Sequence, residues 1–469
     1  MSRQDAVARA TDYFDHGHFR ADLARRVAMP TESQTGQSLD ALRAYLTEEI
    51  IPTVTRLGFT SRVADNPAAG HGPFLIAERH EAEGLPTVLL YGHGDVVFGQ
   101  DAGWREGLKP WTLVEEGDRW YGRGTADNKG QHSINLAALA QVLEVRGGRL
   151  GFNCKLLIEM GEEAGSPGLR ELARLEREAL KADVLIGSDG PRLSAVRPTV
   201  FLGSRGAFNF EMEVNLRAGG HHSGNWGGAL SNAGTLLAHA IASLVDSKGR
   251  ILVEGLKPTE IPASVRAALA GISLEQGMGD PDIDPDWGEP GLTPAEKVYA
   301  WNTLEVLAFV TGAPDKPANA VPPSAKATMQ LRFVVGTDPE TVIPLVEAHL
   351  SARGLGMVKV RPARSATFEA TRLDPSDPWV DWALASIART TGKTPALLPN
   401  LGGSLPNDVF ALILGMPTVW VPHSYPACSQ HAPNEHLLAS VAREALQLMA
   451  GLFYDLGEEG GAVLQARAA

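Results

Sequence analysis

Six side chains with nitrogen or oxygen donors, His93, Asp127, Glu162, Glu163, Asp189 and His431, are spread along the sequence, most of them just beyond apolar runs. Imidazole nitrogen and carboxylate oxygen are donors that Zn2+ and similar ions accept, and one shared carboxylate can hold two ions ~3.5–4 Å apart. The pair Glu162–Glu163 in "IEMGEEAGSPG" raises the sharpest question. Two like charges at the end of a buried strand repel each other and are costly to desolvate. Two divalent cations would offset that cost. One glutamate could then ligate, while its neighbour took a proton from a water and later gave it to a leaving amine. Taken singly, each residue is ordinary: most adjacent glutamates are solvated, and Asp127 or Asn128 in "GRGTADNKG" could be a helix N-cap. A phosphate-binding glycine loop is a poorer reading of that stretch, since the Walker spacing is missing and Asp127 would repel phosphate.

The weight comes from the elements that must position these groups. "TVLLYGHGD" (87–95), "FNCKLLIEM" (152–160) and "DVLIGSDGP" (183–191) are apolar runs of strand length. Helical patterns separate them at 129–147 and 168–182. Strand and helix in alternation predict an α/β sheet with parallel strands, whose ligand site lies beyond the carboxyl ends of those strands. His93 and Asp95, Glu162 and Glu163, and Asp189 all fall there. From Thr199 the texture changes to alternating strands, "TVFLGSRGAFNFEMEVNLRAGG" and "AKATMQLRFVVG", with helices at 228–245 and 339–354 and a further strand expected in "MVKVRPARSATFEA". After residue 374 the α/β texture returns. The fold expected is therefore α/β, with a mixed, mainly parallel sheet between helices. That catalytic domain, residues 1–197 and 375–469, is interrupted by an α+β sandwich over 198–374.

The chain has 469 residues, 44% of them hydrophobic and 21% charged, the mix of a globular protein with more than one core. A formal net charge of −13 argues against nucleic acid and anionic membranes as partners. No stretch resembles an export signal or a membrane span, which points to the cytoplasm. Two cysteines, Cys154 and Cys428, are too few for a disulfide framework, so any metal falls to His, Asp and Glu.

Taken in order, "YGHGDVV", "WYGRGTADNKG", "LIEMGEEAGSPG", "GSDGP" and "QHAPNEH" resemble the metal-site blocks of the M20 family of metallopeptidases, which includes carnosinase-type dipeptidases, aminoacylases and carboxypeptidase G. The resemblance implies two divalent ions per subunit, Zn2+ first, with Co2+ or Mn2+ as alternatives. His93, Asp127 and Asp189 would hold one, and Asp127, Glu163 and His431 the other. Glu162 would be the general base and acid, and Asp95 would accept the second N–H of His93. The family also carries a cis peptide after the bridging aspartate. The insert would be a lid that makes a homodimer. His222, in "HHSGNWGG", would reach the partner subunit's active site to stabilise the oxyanion, with Asn319 near the same oxyanion or the substrate. Arg332 and Ser404, with Gly403 beside it, would bind the substrate's terminal carboxylate. Asp at position 189 and the His-Ser-Gly block lean toward a dipeptidase acting on short peptides with a free carboxylate. An N-acyl-amino-acid deacylase is the alternative. Asn128 after the bridge, where the family more often has Asp, and the stretch 255–300 depart from the pattern.

Overall fold

The computed structural model describes residues 2–274, 281–363 and 367–468. Among these, eight strands form one sheet. In spatial order they are Thr60–Ala64, Phe74–Arg79, Asn153–Glu159, Thr87–His93, Val184–Gly187, Thr418–Trp420, Thr199–Phe201 and Ala396–Leu398. The four central strands run parallel; Phe74–Arg79 is antiparallel to its central neighbour Asn153–Glu159, and Thr60–Ala64 is antiparallel to Phe74–Arg79. The sheet is therefore mixed and mainly parallel, as the alternation of apolar runs and helical patterns predicts.

The central runs are apolar throughout because both faces are covered. Leu90, Ile158, Ile186 and Val419 enter the core on one face. Leu89, Tyr91, Leu157, Leu185 and Trp420 enter the core on the other. Helix Lys129–Val145 packs under the first face, between the sheet and the helices Arg3–Asp15 and Ala439–Ala468. It is buried on nearly every side, polar residues included.

A second sheet has four antiparallel strands in the order Thr303–Thr311, Ser324–Phe333, Gly206–Asn215, Lys359–Pro362. Ser324–Phe333 buries every second residue. Ala327 and Met329, opposite Met212 and Phe210, share a separate core with helices Ala233–Leu244 and Val342–Ser351.

One expectation needs correction. The alternating stretch read from Thr199 is not all antiparallel insert: Thr199–Phe201 belongs to the eight-stranded sheet, parallel to Ala396–Leu398. The chain leaves that sheet after Phe201, and the return crossing lies alongside, with Leu373 donating to the Leu202 carbonyl at 2.9 Å. Three residues are too few for periodicity to tell a sheet-edge strand from the start of a hairpin. The apolar run "VFALILGMPTVWVP", within the returning α/β part, divides into a π-helical turn, Val409–Ile413, and the strand Thr418–Trp420. Residues 275–280 of the stretch 255–300 and residues 364–366 of the strand expected after Met357 lie outside the described residues. Among the described residues no helix is long and apolar enough to cross a membrane.

A small third sheet matters for the site. His436–Leu438 pairs with Arg119–Tyr121, which pairs with Val114–Glu116. This pairing brings residues 431–435 beside residues 122–127, about three hundred positions earlier in the chain.

Candidate metal centre

Strand Thr87–His93 ends on a buried imidazole. His93 Nε2 stands 3.0 Å from Asp127 Oδ1 and 3.6 Å from Asp189 Oδ2, which comes just past the neighbouring strand Val184–Gly187. Across Asp127, its Oδ2 lies 3.0 Å from His431 Nε2, and that nitrogen lies 3.1 Å from Glu163 Oε2. Two groups result, His93–Asp127–Asp189 and Asp127–Glu163–His431, each with ligand atoms within 4.8 Å of one another. Asp127 belongs to both. The Asp127–Asn128 peptide is cis.

Asp95 lies beneath this array. His93 Nδ1 is 3.1 Å from the Asp95 main-chain carbonyl and 3.4 Å from its Oδ1. The carboxylate, expected to take that N–H, stands 3.4 Å from it and makes its shorter contacts elsewhere. Oδ1 accepts from the Glu162 amide at 3.2 Å, and Oδ2 accepts from the Glu163 amide at 3.1 Å and from Ser33 Oγ at 2.6 Å. One residue thus holds both the His93 ring, through its main-chain carbonyl, and the short 3-10 turn Glu162–Ala164 that carries the two glutamates, through its carboxylate.

The electrostatics call for cations. Among the described residues no lysine or arginine pairs with Asp127, Glu162, Glu163 or Asp189; their ion-pair partners are His93 and His431. Burial pushes Glu162 well above the usual carboxylate range, and the neighbouring Glu163 adds to this. Burial, then the Asp127 charge, pushes Glu163 up to about 7 and Asp189 up to about 6. Burial would raise Asp127 as well, but hydrogen bonds from His431 and His93 hold it below its ordinary value. His431 is pushed up to about 11 by its hydrogen bonds to Asp127 and Glu163. Asp189 Oδ2 is buried and without a hydrogen-bond partner among the described residues. An orphaned buried oxygen in a cluster of carboxylates is what a divalent ion would satisfy. The donor set, imidazole and carboxylate without thiolate, fits Zn2+, Co2+ or Mn2+.

Sequence reasoning missed the group that shapes the bridging loop. Glu435 is buried and pairs with buried Arg123 at 2.8 Å. Its carboxylate also accepts from the amides of Gly124, Ala126 and Asp127 at 2.9–3.1 Å. Removing one partner of so buried a pair costs ~3–5 kcal/mol, and here it would also free the backbone that aims Asp127. The signal was an acid four residues after His431, in "QHAPNEH", on a segment that must fold back on the glycines of "GRGTADNKG". Gln430 also donates to Asp127 Oδ2.

Asp127, Glu162, Glu163, Asp189 and His431 line a cleft of about 820 Å3, and Arg332, Gly403 and Ser404 line it too. Arg332 has neutral partners, Ser404 Oγ at 2.8 Å and Gln330 Oε1 at 3.1 Å. His222 and Asn319 do not line this cleft. They sit on an exposed two-stranded ribbon, where His222 pairs with Ala320 and the Asn319 carbonyl accepts from the Ser223 amide at 2.9 Å.

Residues 89–455 match the profile of peptidase family M20/M25/M40. The chain belongs to that family. It is a metal-dependent peptide hydrolase. Its sequence is 29% identical to a cysteinylglycine-S-conjugate dipeptidase of Corynebacterium striatum, over 81% of each chain. It is 32% identical to a Beta-Ala-His dipeptidase of Mus musculus, over 60% of this chain and 58% of that one. The fold is similar to that of Sso-CP2, an M20 family metallo-carboxypeptidase from Sulfolobus solfataricus (TM-score 0.78, 26% identity, 93% of this chain and 98% of the other). It is also similar to that of human carnosine dipeptidase 1 (TM-score 0.75, 24% identity, 96% and 99%).

Proposed function

We propose that this M20 chain is a dipeptidase that hydrolyses the amide bond of dipeptides with a free C-terminal carboxylate, using two divalent ions, Zn2+ first. The observation that carries the reading is the pair of ligand groups sharing Asp127, set in a cleft that also holds an arginine with no acidic partner among the described residues. When bound, the two ions supply a Lewis acid for the scissile carbonyl and lower the pKa of the attacking water. Glu162 belongs to neither ligand group and lines the cleft. It takes the proton from the water and returns it to the leaving amine. Arg332 and Ser404, with Gly403 beside them, receive the terminal carboxylate and orient the peptide. The activities for which the relatives are named, on cysteinylglycine conjugates and β-alanylhistidine, support dipeptides as the class.

The test compares metal-loaded protein on cysteinylglycine, β-alanylhistidine and alanylleucine with its activity on N-acetylleucine. Turnover confined to the free-amine dipeptides is expected. Preference for N-acetylleucine would make the enzyme a deacylase.

In this reading the part of residues 198–374 that lies outside the eight-stranded sheet acts as a lid and dimerisation domain, closing over 1–197 and 375–469. Strand Thr303–Thr311 is an edge of the four-stranded sheet and exposes Val306, Leu307, Phe309 and Val310. An apolar edge of this kind is a template for a second chain. A homodimer built there would carry each exposed ribbon, with His222 and Asn319, toward the partner's cleft. Mixing His222→Ala with Glu162→Gln chains then restores activity, because one of the two sites in a mixed dimer keeps its own Glu162 and receives an intact His222. At equal mixing about a quarter of all sites are complete. Activity no greater than the sum of the two parents would show that His222 acts within its own chain or not at all. Two buried, unpaired cysteines suit a reducing compartment such as the cytoplasm.

A further inference from the structure

The loop Gly402–Ser404 lines the same cleft as the metal ligands, and Arg205, at the crossing between the two sheets, holds it. Arg205 Nε donates to the Gly402 carbonyl at 2.9 Å, and the Arg205 carbonyl accepts from Ser404 Oγ at 2.7 Å. Against this loop stands the helix Pro294–Tyr299, from the stretch that departs from the family blocks. A Cβ on Gly402 would lie 3.1 Å from Val298 Cγ1 and 3.8 Å from Tyr299 Cε1. Loop and helix are therefore packed with no gap between them. Val298 faces two spaces at once: it lines the catalytic cleft and also a second cavity of about 500 Å3 between Ile251, Trp287 and Trp301.

This wall is anchored. Thr293 and Glu296 cap the helix reciprocally, and Glu296 also pairs with Arg266 at 2.6 Å. Tyr299 packs both into the sheet's core beside Leu401 and into a small cluster with Ile261, Val265 and Leu269. Helix Ala263–Leu269, part of that cluster, lies against the edge strand Ala396–Leu398. The stretch thus braces itself on the catalytic sheet of its own chain.

We propose that Val298 and Tyr299 form a partition that ends the substrate cleft just beyond the carboxylate-binding loop, so that dipeptides fit and peptides one residue longer at the C-terminus do not. The proposal rests on the reading of Arg332 and Ser404 as the carboxylate site. An added residue lengthens an extended peptide by about 3.3–3.6 Å, which would drive its carboxylate into the Gly402–Val298 contact. The cavity behind Val298 is the space that removal of the partition would open.

The experiment measures kcat/KM for cysteinylglycine, β-alanylhistidine and alanylleucine, and for each extended by one C-terminal glycine, with metal-loaded wild type and with Val298→Gly, Val298→Ala and Tyr299→Ala. The wild type is expected to favour each dipeptide over its extension by at least about 100-fold, in the range a packed apolar wall can impose. The variants are expected to raise the ratio of tripeptide to dipeptide turnover about tenfold or more. Wild type that cuts extensions as well as dipeptides overturns the partition. So does an unchanged ratio in all three variants when thermal melts show them folded. A wild type that cuts dipeptides while the ratio stays fixed leaves the dipeptidase reading standing and removes the partition alone. A metal-loaded wild type that cuts no dipeptide brings down both.

Discussion

Glu162→Gln is expected to lower kcat by at least about 10²–10⁴ while the protein keeps both ions. Glutamine preserves the shape of the side chain but cannot take up the water's proton. The backbone at this position is held independently of the side chain, through the Glu162 amide and Asp95 Oδ1. The loss should therefore fall on kcat and leave KM near its wild-type value, because the ligand groups and the Arg332–Ser404 pair are untouched. Glu163→Gln makes the contrast. Glu163 sits 3.1 Å from His431 and belongs to the second ligand group, so that change should cost metal as well as rate. Steady-state kinetics and metal content on the same preparations decide the matter. Near-normal turnover by Glu162→Gln, or loss of an ion from it, would take the general-base role away from this residue.

That two adjacent, chemically identical residues can be assigned different roles shows how much the sequence carries and where it stops. The central strands were legible because burial on both faces leaves uninterrupted apolar runs, as in "CKLLIEM". Their ends were legible because glycine and charge interrupt those runs. That alone placed His93, Glu162, Glu163 and Asp189 on one side of one sheet. Asp127 and His431 lie on loops, where no periodicity speaks; donor chemistry alone singles them out, and their grouping into two ligand sets comes from the resemblance of "GRGTADNKG" and "QHAPNEH" to family blocks. The short strands His436–Leu438 and Arg119–Tyr121, which bring those loops together, are three residues each. Segments of that length carry no readable pattern. Glu435 is easily passed over for a related reason: a buried carboxylate that caps a loop looks, in sequence, like any surface glutamate, and only its place four residues after His431 marks it. Thr303–Thr311 eluded reading because its exposed apolar residues break the alternation of a half-buried strand. The same residues are what make that edge a candidate for a second copy of the chain.

Removal of the ions should have the second large effect, on stability as well as on turnover. Each bound ion adds about 4 kcal/mol when present at a thousandfold excess over its Kd, so a chelator should lower Tm by several degrees and abolish hydrolysis. Asp127→Ala should reproduce both losses, because that carboxylate belongs to both ligand groups, whereas Asp189→Ala and Glu163→Ala should each cost chiefly one ion. The sign of the pH dependence follows from the carboxylates. In the ion-free protein burial raises Glu163 from 4.5 to about 7 and Asp189 from 3.8 to about 6. Each then binds more protons folded than unfolded between those limits, so the ion-free protein loses stability as pH rises through that window. His431, raised from 6.5 to about 11 by Asp127 and Glu163, adds stability below pH 6.5 that is lost as pH climbs above it, which has the same sign. Bound cations remove the carboxylate penalty, and their affinity rises as the ligands lose protons. The gap in Tm between metal-loaded and chelated protein should therefore widen from pH 5 to pH 8. A gap that narrows over that range, or two ions retained by Asp127→Ala, would mean that these carboxylates do not share a pair of cations.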